Sequence, residues 1–380
     1  MPEPKLYISP FVRTRRTGGR EVYFCDDPAL PRAQRGKAVV RTDAVDALLD
    51  VFRSGARTED ALKRFEDGPA IAESVASLLA AGLIREWSAH RDPQPSFEIE
   101  ITALCNADCI MCPRGELRAA GHMTEQTFER LLTLVTAHPS RGAIIQGIGE
   151  PSLHPSLVDW SARLRAVLSP QAPLIVVTNG IRTNRQLYAQ LIAAGVTQVQ
   201  WSLHALDPAT ITEVFGTKLA VRALDNLEAC LAFDSEHLGV NFVLMDLTRA
   251  ELDRVRRWLT VRGLPASQIR VIPVFSRGGT IDTQALFSRI HRPVQAPCVY
   301  VRKSMFIAWN GDLLPCSNDI AGAHPYGNLE DADAEQLSAT WNDQLASTHV
   351  GFEICRACDH QSRDSLPTSW LAPAAAGTTR

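Results

Sequence analysis

Cys105-x3-Cys109-x2-Cys112 puts three thiols on one short segment. Thiolates are the usual holders of iron–sulfur clusters. Three of them can grip three corners of a cubane and leave its fourth iron without a protein ligand. A zinc ion completed by a distant histidine is the competing occupant, and other uses of the thiols stay open beside it. A second group is spread more widely: Cys298, then Cys316 closing Gly311-Asp-Leu-Leu-Pro-Cys316, then Cys355-x-x-Cys358. These four thiolates suffice to enclose one cluster completely, and by spacing alone they serve a zinc ribbon equally well. Two cysteines are left over. Cys230 lies in DNLEACLAF, where the period is helical, and Cys25 on a strand; both read as packing thiols.

The elements that must position these groups follow from hydrophobic period. From residue 96 to 280 the chain alternates β-like runs (FEIEIT, AIIQGI, LIVVTN, QVQWSL, GVNFVLM, IRVIPVF) with helical ones. Six such repeats predict an α/β core with a parallel sheet and helices outside; whether the sheet curls into an incomplete barrel is not decided by period. CNADCIMC follows the first strand, GIGEP the second, TNG the third, SLH the fourth and SRGG the sixth. Parallel α/β folds bind ligands at the carboxyl ends of their strands, so these segments share one rim.

Residues 1–95 form a separate small domain. An arginine-rich arm (Arg13, Arg15, Arg16, Arg20) precedes strand-like pieces at EVYFC and KAVVRTD. A helix carries Val45, Leu48, Leu49 and Phe52, and a second starts behind Thr58 as N-cap. A third bears Ile71, Val75, Leu78 and Leu79 and stops at Gly82. The pattern is that of a small winged helix, and Pro93 and Pro95 mark the linker after it. Residues 281–365 are cysteine-bearing, with a hairpin expected at Asn310-Gly311, and 366–380 read as a disordered tail.

Composition narrows the function classes. Lysine plus arginine number 39 against 42 acidic residues, a net charge of −3, which excludes bulk electrostatic binding of polynucleotide. No apolar run approaches the roughly 18 residues of a membrane span, and MPEPKLYISPFVRTRR lacks a secretory signal. A cytoplasmic protein without nucleic-acid or membrane partner is expected, and there sparse cysteines ligate metal rather than pair.

With these residues in view, the sequence resembles the radical S-adenosylmethionine (SAM) superfamily, whose signature is C-x3-C-x-φ-C with an aromatic φ; here φ is Met111. The resemblance implies a partial (β/α)6 TIM-type barrel, a [4Fe-4S] cluster held by Cys105, Cys109 and Cys112, and SAM chelating the open iron. Cleavage of SAM then yields a 5′-deoxyadenosyl radical that takes a hydrogen atom from substrate. Gly149-Glu150-Pro151, with Gly147 before it, looks like the family's motif for the methionine end of SAM, a carboxylate complementing an ammonium. Thr178, Asn179 and Ser202 fall where relatives bind SAM, and His204 is read as structural rather than facing substrate. Met111 packs on the adenine by the same resemblance.

Gly311-x4-Cys316, Tyr326-Gly-Asn-Leu, Trp341 and Cys355-x-x-Cys358 look like the SPASM/twitch extension of these enzymes in its one-cluster form. That implies an auxiliary [4Fe-4S] cluster on Cys298, Cys316, Cys355 and Cys358 as electron acceptor in a two-electron oxidation. Arg277, in Ser276-Arg-Gly-Gly279, is the candidate substrate anchor, since a similar segment occurs in aminocyclitol dehydrogenases of the family. Residues 1–95 resemble PqqD-like domains, which capture a leader peptide as an added strand. The expected substrate is thus a natural-product precursor, an aminocyclitol or sugar or a ribosomal peptide, with electrons from a flavodoxin or ferredoxin. The alternatives are a redox-neutral epimerase using Cys230 as hydrogen donor and a non-catalytic zinc-binding protein. The oligomeric state is not set by the sequence.

Overall fold

A computed structural model describes residues 6–8, 12–25, 33–34, 36–52, 56–65, 68–86, 95–113, 117–138, 140, 142–287, 304–337, 339–340 and 353–359. Pro93, Cys298, Trp341 and the expected tail lie outside them. The chain divides into two compact units, one of residues 1–93, 295–302 and 341–353, the other of 94–294, 303–340 and 354–380.

The first unit contains strands β1 (Leu6–Ile8), β2 (Val12–Thr17), β3 (Arg20–Cys25), β4 (Ala38–Val40) and β5 (Ile84–Glu86). Its helices are α1 (Asp43–Phe52), α2 (Thr58–Leu62) and α3 (Gly68–Ala80). The arginine-rich segment is not an arm. Gly18 and Gly19, at φ 57° and 76°, make a two-residue turn of the kind only glycine adopts without strain, and β2 folds back antiparallel on β3. Arg15 then lies 4.8 Å over the Phe24 ring. Helix periodicity is realised as expected: Val45, Leu48, Leu49 and Phe52 are buried, with Ile71, Val75 and Leu78 from α3, and Cys25 packs among them. Thr58 is the first residue of α2 and not its cap; Arg57 holds the N-cap position without a side-chain bond.

In the second unit, β6 (Ser96–Ile99), β7 (Gly142–Ile145), β8 (Leu174–Thr178), β9 (Gln198–Ser202), β10 (Leu238–Leu244) and β11 (Ile269–Pro273) are parallel neighbours in that order. The sheet continues past β6 in a way the hydrophobic period did not indicate. β12 (Ser304–Ile307) pairs parallel with β6, then β13 (Asp312–Leu314) and β14 (Gly327–Asn328) add antiparallel. The expected hairpin sits at Gly311, whose φ is 86°.

Helices α4 (Glu125–Ala137), α5 (Leu157–Val167), α6 (Arg185–Ala193), α7 (Pro208–Phe215) and α8 (Arg222–Phe233) alternate with these strands, followed by α9 (Asp246–Arg249), α10 (Leu252–Val261), α11 (Thr283–Leu286) and α12 (Glu353–Ala357). Their starts are written in the sequence: the side chains of Thr124, Asn184 and Asp207 accept from the backbone N–H groups of Thr127, Leu187 and Thr210. Each such cap is worth about 1 kcal/mol. Phe128 of α4 stacks on Trp160 of α5 at 4.0 Å between centroids.

The pleat separates two surfaces. Val199 and Trp201 of β9 are fully buried, whereas Gln198, Gln200 and Ser202 on the opposite face are half-buried; β8 alternates in the same way. Among the described residues no helix is long and apolar enough to cross a membrane.

Candidate active site at the carboxyl ends of the strands

The loop after β6 carries Cys105, Cys109 and Cys112, all half-buried. Its course is fixed by the end of a distant helix. The last carbonyls of a helix have no partner within it, and here Phe215 and Val214 at the end of α7 accept from the N–H groups of Asp108 (2.8 Å) and Ile110 (3.0 Å). Gly216 ends α7 at φ 64°, where a Cβ would stand 2.2 Å from the Asp108 carbonyl oxygen. Glycine is therefore required twice over, for its torsion and for the close approach. Cys105, Cys109 and Met111 pack against an apolar cluster that includes Ala107, Ile181 and Phe215.

Glu150 joins the neighbouring loops to this one. Its backbone N–H donates to the Leu104 carbonyl at 2.8 Å. One carboxylate oxygen accepts from Thr178 Oγ1 (2.8 Å) and the Ser152 N–H (3.1 Å), the other from the Asn179 N–H (2.7 Å). Burial nonetheless pushes the Glu150 pKa above the usual carboxylate range, and those bonds pull it only partly back. Asn179 Nδ2 in turn donates to Asn106 Oδ1 at 2.7 Å and lies 3.8 Å from Cys105 Sγ. A Cβ on Gly149 would meet the Thr102 carbonyl oxygen at 2.1 Å, so only glycine allows this close approach of the two backbones. Pro151 opens a single 3-10 turn, Pro151–Leu153, for which the Glu150 side chain is the cap. Glu150, Thr178, Asn179 and the cysteine loop are thus one hydrogen-bonded assembly.

A buried ion pair lies beneath it. Glu100, at the end of β6, accepts from Arg118 and from the Ile148 N–H (2.9 Å), and a Cβ on Gly147 would overlap it. Neither Glu100, Arg118 nor Asn106 is marked by any motif in the sequence, and only the fold brings them here.

Ser202 ends β9, level with Asn241 of β10 in the parallel register, and is half-buried. His204 is 2% exposed; its Nδ1 accepts from the Val243 N–H at 3.1 Å, its ring stacks on Phe215, and burial lowers its pKa to about 4. It is a neutral structural residue, as expected. Cys230 is fully buried in α8, where desolvation pushes its thiol up to about 12.

Of the second cysteine group, Cys316, Cys355 and Cys358 are among the described residues, and the segments that bear them meet the loop that ends β11. Cys316 and Cys358 are buried and Cys355, on α12, half-buried. Ser276 donates to Asp359 Oδ1 through both its N–H and its Oγ, each at 2.7 Å. Arg277 has the left-handed φ of 51°; its guanidinium covers Phe275 at 4.6 Å and Nη1 reaches Asn318 Oδ1 at 3.4 Å. A Cβ on Gly278 would lie 3.1 Å from Ile354 Cβ and 3.6 Å from the Asn318 carbonyl, and one on Gly279 only 2.8 Å from Ala357 Cβ. Ser276-Arg-Gly-Gly279 therefore clasps both the segment after Cys316 and the helix bearing Cys355. Asp359 was not singled out from the sequence. Its position, one past the last cysteine, was the only available cue.

The donor set fits the implied groups. Three thiols on one loop, a glycine bearing directly on that loop's backbone, and a buried carboxylate facing the same rim suit a cluster with an open corner and a cationic small cofactor. Residues 99–259 match the family model of the radical SAM superfamily, and residues 298–359 that of the SPASM iron–sulfur cluster-binding domain. A GTP 3′,8-cyclase of Vibrio cholerae is 28% identical over 203 residues, which are 51% of this chain and 57% of that protein. The chain thus spans little more than half the length of that curated relative. A tungsten-containing aldehyde ferredoxin oxidoreductase cofactor-modifying protein of Pyrococcus furiosus is 23% identical across 57% of this chain and 69% of its own. Among solved structures, Streptococcus suis SuiB bound to precursor peptide SuiA superposes with a TM-score of 0.54 at 13% identity, covering 93% of this chain and 94% of SuiB. That likeness is one of fold.

Proposed function

We propose that the chain, whose residues 99–259 and 298–359 match the radical SAM and SPASM models, is a radical SAM enzyme that oxidises an unactivated C–H position of a natural-product precursor. Cys105, Cys109 and Cys112 would hold the first cluster and Cys298, Cys316, Cys355 and Cys358 the second; bound with SAM, they supply hydrogen-atom abstraction and a one-electron acceptor respectively. Glu150 orients the cofactor's ammonium, while Thr178 and Asn179 hold the carboxylate in place. Met111 and Ile181 exclude water from the same side. Ser202 lies on the rim where the cofactor's far end would reach.

The observation that carries an oxidation is the clasp of Ser276–Gly279 on Asp359 and Asn318. It fastens the segments that bear Cys316, Cys355 and Cys358 to the last strand of the sheet whose rim bears the first group. An electron acceptor is useful only at a fixed, short distance from the substrate. Arg277 is the anchor proposed for substrate, with its turn conformation set by the same clasp. In this reading the six strands are a partial barrel and electrons arrive from a flavodoxin- or ferredoxin-type donor. The substrate is an aminocyclitol or sugar, or a peptide presented by the first unit acting as a PqqD-like winged helix. The burial of Cys230 at a helix–helix contact speaks against the epimerase alternative.

Anaerobic reconstitution tests the reading. About eight irons and eight sulfides per chain are expected, the content of two [4Fe-4S] clusters, with 5′-deoxyadenosine released under reductant. Cys316→Ala should still release 5′-deoxyadenosine but yield no oxidised product, and no deuterium from heavy water should enter product. Stoichiometric zinc without visible absorbance, or no 5′-deoxyadenosine, overturns it.

A further inference from the structure

A buried donor that lacks an acceptor costs free energy, and the side chains of arginine and tryptophan can only donate. Two such side chains stand in this condition near the carboxyl end of β6. Nε and Nη1 of Arg118 and Nε1 of Trp309 are closed off from solvent, and none of the three has a hydrogen-bond partner among the described residues.

Both residues are gathered by Glu100. Its buried carboxylate accepts from Arg118 Nη2, from the Ile148 N–H at 2.9 Å and from the Trp309 N–H. A carboxylate offers about four acceptor positions, so little of it is left for the idle donors. Burial also pushes the Glu100 pKa up in spite of these bonds, which makes it a weak counter-charge for a guanidinium that stays protonated.

The adjoining segments supply no other acceptor. The Trp309 ring lies on Gly121, where a Cβ would stand 2.5 Å from it. On the other side, a Cβ on Gly322 would come within 3.2 Å of Arg118 Cδ and 3.9 Å of its Nη1. Gly322 closes a turn, its N–H donating to the Asp319 carbonyl at 3.0 Å. The buried Asp319 carboxylate is itself spent on the N–H groups of Ala323 (3.1 Å) and His324 (2.9 Å) and on the His324 ring. Arg118 follows Cys112 by six residues, and Gly322 follows Cys316 by six. The idle donors therefore stand where the segments bearing the two cysteine groups meet.

Donor excess selects the occupant. Arginine has five N–H donors, and Arg118 spends one of its own on Glu100. A water or a hydroxyl would bring further hydrogens into a place already short of acceptors. A carboxylate or phosphate brings acceptors alone and also answers the guanidinium charge.

We propose that Arg118 and Trp309 form an oxyanion site, which holds a carboxylate or phosphate group of the substrate beside the first cysteine group. The inference rests on the enzymatic reading above and narrows its substrate to one that bears such a group: a phosphorylated sugar or cyclitol, or a peptide with an acidic residue. When the guanidinium turns toward that group, Glu100 keeps its two backbone donors.

The test uses anaerobically reconstituted holoenzyme with saturating SAM and ligand-observed NMR. The probes are glucose 6-phosphate and N-acetyl-glutamate amide, their neutral counterparts glucose and N-acetyl-glutamine amide, and inorganic phosphate. At least one organic anion should bind at least about tenfold more tightly than its neutral counterpart, the scale of one charge-assisted hydrogen bond. Which of them does so tells phosphate from carboxylate. Trp309→Phe keeps the ring on Gly121 and the backbone bond to Glu100 and removes only the indole N–H. Arg118→Lys keeps a positive charge beside Glu100 and removes the Nε and Nη1 donors. Each should cut the preference for the anion by about tenfold with the SAM Kd unchanged, and Trp309→Phe decides alone if Arg118→Lys fails to fold. A merely structural role would weaken anion and neutral counterpart alike, so an unchanged ratio in either folded variant overturns the proposal. Silence of both organic anions, or equal binding of their neutral counterparts, does the same. Binding of inorganic phosphate alone assigns the site to a free ion and overturns its role in holding substrate. Because 5′-deoxyadenosine release is read in the same samples, a failure here is distinct from a failure of the enzymatic reading.

Discussion

At the scale of single residues, the site's chemistry is set by burial more than by formal charge. Glu150 accepts three hydrogen bonds and still has a raised pKa, because desolvation outweighs them. A ligand ammonium would return what the interior withholds. His204 shows the converse case. Its pKa falls to about 4 from the ordinary 6.5, so the folded state keeps it neutral while the unfolded state takes up a proton below 6.5. Stability conferred by neutral His204 is therefore complete above pH 6.5 and drains away as pH falls toward 4. The loss from this residue amounts to at most about 3.5 kcal/mol, by the equivalence of one pKa unit to about 1.4 kcal/mol. Thermal melts of wild type and His204→Phe across that window should show a steeper acid decline in wild type. Parallel curves would show that another group governs it.

Elements act on one another here through their ends. The carboxyl end of α7 steers the cysteine loop by offering its orphan carbonyls, and the turn after β11 steers α12 through Ser276 and Asp359. Removing the Asp359 acceptor leaves the Ser276 N–H unmet in a buried place, while its Oγ keeps the Ala357 carbonyl at 3.2 Å, a cost of about 1–3 kcal/mol. Asp359→Ala should accordingly lower the melting temperature and reduce iron from about eight to about four per chain, the content of a single remaining cluster. The SAM Kd should not change. Full iron retention in a protein of normal stability would show that the clasp positions nothing.

At the scale of the molecule, the residues proposed for SAM cleavage all fall in one of the two units. The first has its own core around Leu48, Phe52, Leu78 and Leu83, while Glu150, Asn179 and the first cysteine group all belong to the second. A chain lacking residues 1–90 should release 5′-deoxyadenosine at a rate within a few-fold of the full chain, whatever happens to product formation. Loss of SAM cleavage would place the first unit within the catalytic core.

Local signals carried much of this. The period of the six strands and the spacing of the cysteines were legible because pleat and loop length are local properties. Gly149, Glu150 and Asn179 stood out only through the family resemblance, because a Gly-Glu-Pro tripeptide taken alone reads as an ordinary turn. Gly18-Gly19 was equally local, and the pair reveals a hairpin where arginine content suggests an arm. What the chain order hid were pairings of residues far apart in sequence. Asp108 with Phe215, Ser276 with Asp359, Glu100 with Arg118 and β12 with β6 are partners that no period or motif links. Side-chain type fixed which groups can bind metal or cofactor; only the closure of distant loops fixed what they face, because burial and register, which decide pKa and partner, are properties of the folded sheet and not of any segment of it.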